Sequence, residues 1–262
     1  MTVAQESVGT LLRQWRERRH RSQLDVSIAA DVSTRHLSFV ETGRSAPSRQ
    51  MIERLCDELE VPLRERNVLH LAAGFAPVHQ ERPLEDLDAA RAAIDAVLAG
   101  HEPYPAVAVN VRWELLAANE SMSRFLGAVP DRLRQPRLNI LRATLHPDGL
   151  APQLRNYGQW RAHVLRRVRR QLERTAAEGL AELLAELESY PAPDGAGEAA
   201  GPADSDGVVV PLVLATPYGE LRLSYVLSVF GAPRDVTLEE IAIESFFPAD
   251  DETRRLLQSL AG

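Results

Sequence analysis

The chain has 262 residues, 45% hydrophobic and 26% charged, the composition of a globular protein with room for two domains. Its 30 basic residues are all arginine and are outnumbered by 37 acidic ones; the net charge of −7 excludes a histone-like basic coat but leaves DNA binding open, since binding depends on where positive charge sits. A lone cysteine, Cys56, excludes a disulfide framework and a cysteine-based zinc site, and no apolar run approaches the ~18 residues that span a bilayer, so a soluble cytoplasmic protein without membrane partner, metal or cofactor is expected.

Charge is unevenly spread. Residues 1–74 carry 11 arginines against 10 acidic residues, a net +1, and residues 75–262 carry 19 against 27, a net −8. Gly74, Pro77 and Pro83 punctuate the join, and two domains are expected, 1–76 and 77–262.

In chain order, Val8–Arg21 reads as a helix with Val8, Leu11, Leu12 and Trp15 on one stripe and Arg13, Arg18, Arg19 and Arg21 on the other side. Ser22 caps a second helix, Gln23 to about Ala30, with Val26 and Ala30 inward. Asp31 suits the left-handed corner that follows. Ser33 caps a third helix, Thr34 to about Thr42, closed by Gly43. Ser48 caps a fourth, through about Leu59, and a fifth covers about Leu63–Ala73. The expected fold is an all-α five-helix headpiece whose Gln23–Gly43 segment has the core spacing of a helix-turn-helix, with Val26, Ala30, Val32, Leu37 and Val40 buried.

The pattern Ser22-Gln23-x(2)-Val26, then Val32-Ser33-x(3)-Leu37-x(2)-Val40-Glu41-x-Gly43-x(3)-Pro47-Ser48, resembles the Xre, or phage-repressor-type, helix-turn-helix family over about residues 8–73. It departs at Ser27 and Asp31, where the family favours alanine and glycine. In such motifs the second helix enters the major groove with its N-terminal residues at the base edges. With Leu37 and Val40 anchoring it, Thr34, Arg35, His36, Ser38 and Phe39 face outward. The resemblance implies base contacts at Thr34, Arg35 and Phe39. Arg35 can take guanine bidentately, and Phe39 suits a thymine methyl. Gln23 stands at a helix N-terminus, where a phosphate is favoured, Ser33 is counted with the DNA-binding residues, and Arg44 follows within reach of the backbone. Arg16 and Glu41 are assigned, through the same resemblance, to a partly buried ion pair bracing the first helix against the third.

Beyond the join, about Leu84–Leu98 reads as a helix closed by Gly100, followed by a strand pair, Ala106–Val111 and Trp113–Ala117. Helices are expected at Asn119–Leu126, Leu138–Leu145, Tyr157–Thr175 and Gly179–Ser189, with Asn119 and Asn139 as caps. Residues 190–207 read as an acidic loop, before strands Val208–Ala215, Leu221–Phe230 and Ile241–Phe247 and a terminal helix, Asp250–Leu260. Helices over one face of an antiparallel sheet make an α+β, PAS-like domain. Six arginines, Arg161, Arg166, Arg167, Arg169, Arg170 and Arg174, crowd the Tyr157–Thr175 helix and read as a solvated face, with a second nucleic-acid contact or an anionic head-group site as alternatives. Enzyme signals fail: Gly195–Ala200 has the glycines of a dinucleotide fingerprint without a strand before it, the seven histidines are scattered, and no Gly-x-Ser-x-Gly elbow occurs, so no catalytic residue is assigned.

The segments Trp113–Asn119, Asn139–Leu141, His146–Asp148, Gly219–Leu221, Phe230–Leu238 and Glu244–Pro248 resemble the MmyB-like ligand-binding domain over about residues 85–260. That resemblance implies a pocket for a small apolar ligand, a fatty acid being the best candidate. The residues considered for it are Trp113, Phe125, Trp160 and Tyr225. The combined expectation is a bacterial transcriptional regulator that binds an inverted-repeat operator in double-stranded DNA as a homodimer. The alternative makes the second domain a ligand-free dimerisation or protein-interaction module.

Overall fold

The computed structural model describes residues 6–193 and 210–261. The Gly195–Ala200 run and the first residues of the strand expected at Val208 lie outside them. The described residues form two compact units, one reaching to Pro83 and taking in Glu173–Thr175 and Ala232–Glu239, the other holding the rest.

The first unit is built from five short helices: α1 (Val8–Arg18), α2 (Gln23–Ala29), α3 (Thr34–Glu41), α4 (Arg49–Glu58) and α5 (Leu63–Ala72). Local chemistry starts and stops them. Ser7, Ser22, Ser33 and Ser48 cap the first four, each hydroxyl accepting from the backbone N–H three residues on, at 3.1–3.2 Å. Asp25 returns a bond to the Ser22 N–H and completes a capping box, which holds its carboxyl below the usual range. All five helices end in the left-handed conformation, at His20, Asp31, Gly43, Glu60 and Gly74. In each case the next N–H reaches back five residues, as from Val32 to the Ser27 carbonyl (2.9 Å) and from Arg44 to that of Phe39 (2.7 Å). Leu12, Trp15, Val26, Ala30, Leu37, Val40, Ile52 and Leu55 fill the centre. Val32, expected inside, is only half-buried. Cys56 is fully buried, and burial pushes its thiol up to about 12, so it serves as a small apolar residue.

The second unit opens with a correction. Leu84–Asp86 form a 3₁₀ turn, and Leu87 (φ −111°, ψ 61°) breaks the helical course, so α6 spans Asp88–Gly100 and contains the glycine expected to end it. There follow β1 (Ala106–Val109), β2 (Leu115–Ala118), α7 (Glu120–Leu126), α8 (Asp131–Arg134), α9 (Ile140–Leu145), α10 (Tyr157–Thr175), α11 (Leu180–Ser189), β3 (Leu212–Thr216), β4 (Gly219–Val229), α12 (Val236–Glu239, counted with the first unit), β5 (Ala242–Pro248) and α13 (Asp251–Ala261). Asn119 caps α7 and Asn139 caps α9, each accepting at 3.0–3.1 Å. The five strands form one antiparallel sheet in the order β2-β1-β5-β4-β3.

Along β4, Leu221, Leu223, Tyr225, Leu227 and Val229 share one face by the two-residue period, and Tyr225, Leu227 and Val229 stand opposite Phe246, Glu244 and Ala242 of β5. This face meets α10, whose Trp160 and His163 lie against Tyr225 with ring centroids 5.8 Å away. The unit is therefore α+β, with its core between sheet and helices.

Candidate DNA interface and ligand-domain core

The recognition helix α3 is held from behind by Leu37 and Val40, 2% and 1% exposed. A second anchor is electrostatic. Arg16 of α1 donates through Nε (2.7 Å) and Nη2 (2.9 Å) to the two carboxylate oxygens of Glu41, and Gln23 of α2 adds a third bond at 2.8 Å. The hydrogen bond that Arg16 donates to Glu41 outweighs its desolvation and raises its pKa. α1 and α3 also approach so closely that a Cβ on Gly9 would lie 2.1 Å from the Val40 carbonyl oxygen. Ser27 is buried at the α2–α3 crossing, where its hydroxyl meets that of Thr34 at 2.8 Å.

These contacts sort the expected DNA residues. Arg35, His36 and Arg44 are exposed, and Ser38 and Phe39 are half-buried beside them. The guanidinium carbons of Arg35 and Arg44 lie 5.3 and 6.0 Å from the centre of the Phe39 ring, a cation–π arrangement that gathers two positive groups on one aromatic face. Ser33 is exposed and spends its hydroxyl on capping α3. Two residues face elsewhere than expected: the Thr34 hydroxyl turns to Ser27, and the Gln23 amide joins the Arg16–Glu41 brace instead of standing free at its helix end. Their side chains thus belong to the internal bonding of the motif.

In the second unit Trp113 and Trp160 lie inside the core, and Tyr225 and Phe125 pack against it half-buried. A cavity of about 250 Å³, lined by Asp95, Leu98, Ala99, Glu102, Ala118, Asn119 and Glu120, involves none of the four. At the centre of the aromatic group stands a residue read from sequence as part of a solvated face. Arg167 is only 12% exposed in its side chain and donates through Nη1 at 2.7 Å to Glu244, which is 2% exposed. Its guanidinium lies 4.1 Å from the Trp113 ring centre and 4.9 Å from that of Tyr225. Burial opposes its charge and is outweighed by Glu244, so its pKa rises. The other five arginines of the cluster line the helix differently: Arg166, Arg169, Arg170 and Arg174 are exposed, and Arg161 is half-buried.

Trp113 occupies the turn between β1 and β2 at φ 65°, an outlying conformation for so bulky a side chain. It is fixed there by Asn110, whose side-chain oxygen accepts from the N–H of Arg112 and of Glu114 (3.0 Å each), and by its own Nε1–H bond to Gln171 (2.8 Å). The Tyr225 hydroxyl and His163 Nε2 are 2.6 Å apart. Burial, and then Arg167, Arg166 and Arg170, depress His163 to about 4, so its ring is neutral at neutral pH. The buried Arg167 had a legible signal. It falls on the stripe Trp160, Val164, Arg167, Gln171, spaced four, three and four residues, whose other members turn inward.

Comparison with known proteins accords with this architecture. The helix-turn-helix domain family matches residues 7–69, and the MmyB-like transcription regulator ligand binding domain matches residues 90–260. The transcriptional regulator ClgR of Mycobacterium tuberculosis, from two strains, is 36% identical over 90 residues, which cover 34% of this chain and 78% of ClgR. A solved structure of an RNA-binding light-oxygen-voltage receptor aligns at 12% identity over 96% of this chain and 63% of its own, less than two thirds, with a TM-score of 0.26, too low to bear on the fold. Among the described residues no helix is long and apolar enough to cross a membrane. The chain belongs to the MmyB-like transcription regulators, with a helix-turn-helix DNA-binding region followed by a ligand-binding domain.

Proposed function

We propose that the chain is a bacterial, cytoplasmic, one-component regulator that binds an inverted-repeat operator as a homodimer and responds to a small apolar ligand, with a fatty acid as the best candidate. The observation that carries the DNA reading is the outer side of α3, where Arg35, His36, Ser38 and Phe39 stand with Arg44 while Leu37 and Val40 hold the helix from behind. In this reading Arg35 reads guanine, Phe39 meets a thymine methyl, Thr34 stands at the base edges with Ser33 beside it, and the helix N-terminus at Gln23 faces a phosphate. The near-neutral charge of residues 1–74 supports two headpieces per operator, because one offers little general attraction to DNA.

The ligand reading rests on membership of a ligand-binding family and on a core that mixes aromatic rings with one buried cation. The second domain is taken as PAS-like, with Trp113, Phe125, Trp160 and Tyr225 as ligand contacts. Ligand acts by binding one arrangement of the paired headpieces more tightly than another. Selection of bound sequences from random DNA, with and without added fatty acid, tests both parts. The expected product is a two-fold symmetric site with half-sites one helical turn, ~34–36 Å, apart, and a change in affinity with the lipid. Binding of single protomers to asymmetric sites would refute the dimer. Absence of any acyl chain in native mass spectra, together with no lipid response, would favour a ligand-free dimerisation module.

A further inference from the structure

Helices α1–α4 of the first unit carry their own serine caps; α5 does not. Its N-cap position is Pro62, whose ring accepts no hydrogen bond. The acceptor comes instead from 176 residues further along the chain: Glu239, the last residue of α12, takes the Leu63 N–H at 2.6 Å. A carboxylate at that place also faces the positive end of the α5 dipole.

α12 and the residues before it, Ala232–Glu239, belong to the first unit although the sequence encodes them between β4 and β5. They are bonded along most of their length. Asp235, 2% exposed, accepts from Arg82 Nε at 3.0 Å and, through its other oxygen, from the Thr237 N–H at 3.0 Å. The Val236 N–H donates to the Gln80 carbonyl at 2.9 Å, and the Thr237 hydroxyl to the Arg82 carbonyl at 2.7 Å. The Val236 side chain is fully buried. Residues 78–82, which lie in the join between the two domains, are held by α5 as well. Asn67 accepts from the N–H groups of Val78 and His79 (3.0 Å each) and donates to the His79 carbonyl (2.8 Å), and Arg64 meets Glu81 at 2.7 and 3.0 Å. The join is therefore no free tether: a headpiece helix and a late stretch of chain are both bonded to it.

This late stretch has a path to the recognition helix inside the same unit. α5 packs on α1 and α4, and α1 is tied to α3 by Arg16 and Glu41. At its two ends the chain runs on into β4, which stops at Val229, and β5, which starts at Ala242, neighbours in the sheet of the second unit. Coupling between distant places needs an element that both can bias, and a short bonded stretch continuous with two adjacent strands is of that kind.

We infer that Ala232–Glu239 is a strap by which the second domain sets the affinity of the headpiece for DNA: seated, it caps α5 and fixes the join, and the seated form is the one that binds the operator. Asp235 and Glu239 are its positioning residues. This rests on the DNA reading above and adds the regulatory element and the residues that seat it.

The test uses the full chain with three single substitutions, each checked for folding by circular dichroism. Glu239→Ala removes the cap, Asp235→Ala frees Arg82, which is half-exposed and can turn to water, and Glu239→Gln keeps an acceptor oxygen in place. Amide exchange followed by NMR at Leu63 should be roughly 5–10-fold faster in Glu239→Ala, the size of losing one helix cap, and close to wild type in Glu239→Gln. The serine-capped amides of Thr10, Asp25, His36 and Met51 serve as internal controls and should keep their rates. Both alanine variants should bind the operator selected by the wild type about fivefold more weakly, although neither residue lies on α3. Wild-type exchange at Leu63 in Glu239→Ala, an equal rise at the serine-capped amides, or unchanged operator affinity in both alanine variants overturns the strap and leaves the DNA reading intact. Failure of the wild type to select any operator overturns the DNA reading and the control assigned to the strap together.

Discussion

Truncating Glu41 tests whether the recognition helix is held electrostatically as well as by its apolar side. In Glu41→Ala the Arg16 guanidinium, 12% exposed, loses both bonds to a carboxylate that is itself 2% exposed, and Gln23 loses one. Breaking one side of a buried pair costs ~3–5 kcal/mol, because a desolvated charge is left behind. Two features place this case at the lower end: Arg16 keeps its Nη1 bond to the Arg21 carbonyl at 2.9 Å, and the half-buried Gln23 can turn to water. About 3 kcal/mol is expected, which corresponds to roughly 100–200-fold faster amide exchange. Native-state hydrogen exchange at Leu37 and Val40 reads this locally, without averaging over the second unit. Replacing both partners, Arg16→Met with Glu41→Leu, should return stability to within ~1 kcal/mol of wild type, since similar apolar pairs often do as well as a buried ion pair. Exchange accelerated less than ~5-fold in Glu41→Ala, or a double-mutant cycle with coupling near zero, would refute the reasoning.

Three further outcomes are expected. Gly9→Ala places a methyl 2.1 Å from the Val40 carbonyl oxygen and must part α1 from α3 by roughly an ångström. Despite a helix-propensity gain of ~0.5–1 kcal/mol, a net loss of ~1–3 kcal/mol should appear in urea unfolding, and an unchanged midpoint would contradict the close crossing. Arg35→Ala should cost ~1–3 kcal/mol on the selected operator and little on unrelated DNA in competition binding; equal losses on both would remove its base-reading role. For His163 the folded value of about 4 lies below the ordinary 6.5, so the unfolded chain takes up the proton first. Its contribution is full above about pH 6.5 and is lost as pH falls towards 4, where the second unit should weaken. Ring-nitrogen NMR should show no protonation above about pH 5, and an ordinary titration near 6.5 would show that the ring is not desolvated as described.

The headpiece was legible because its instructions are local. A serine followed three residues later by a free backbone donor starts each of α1–α4, and Asp31 and Gly43 turn the chain within one or two residues of where a helix stops. The spacing of Leu37 and Val40 then dictates which side of α3 can face DNA. Where the α6 helix begins was misjudged for a related reason: apolar periodicity runs on through Leu84–Leu87, and only the conformation of Leu87 breaks it.

Tertiary structure alone decided the pairing of distant groups. The stripe that sets Arg167 apart from five neighbouring arginines does not say what pairs with it; its carboxylate lies 77 residues further on, brought beside it by the placing of β5 between β1 and β4. The Gln23 amide and the Thr34 hydroxyl, free donors on a helical wheel, likewise find partners only when three helices cross. Caps, turns and apolar stripes report energies set within a few residues. Whether a charge is solvated or paired depends on what the rest of the chain places around it, and a stripe that reaches an arginine only indicates where to look.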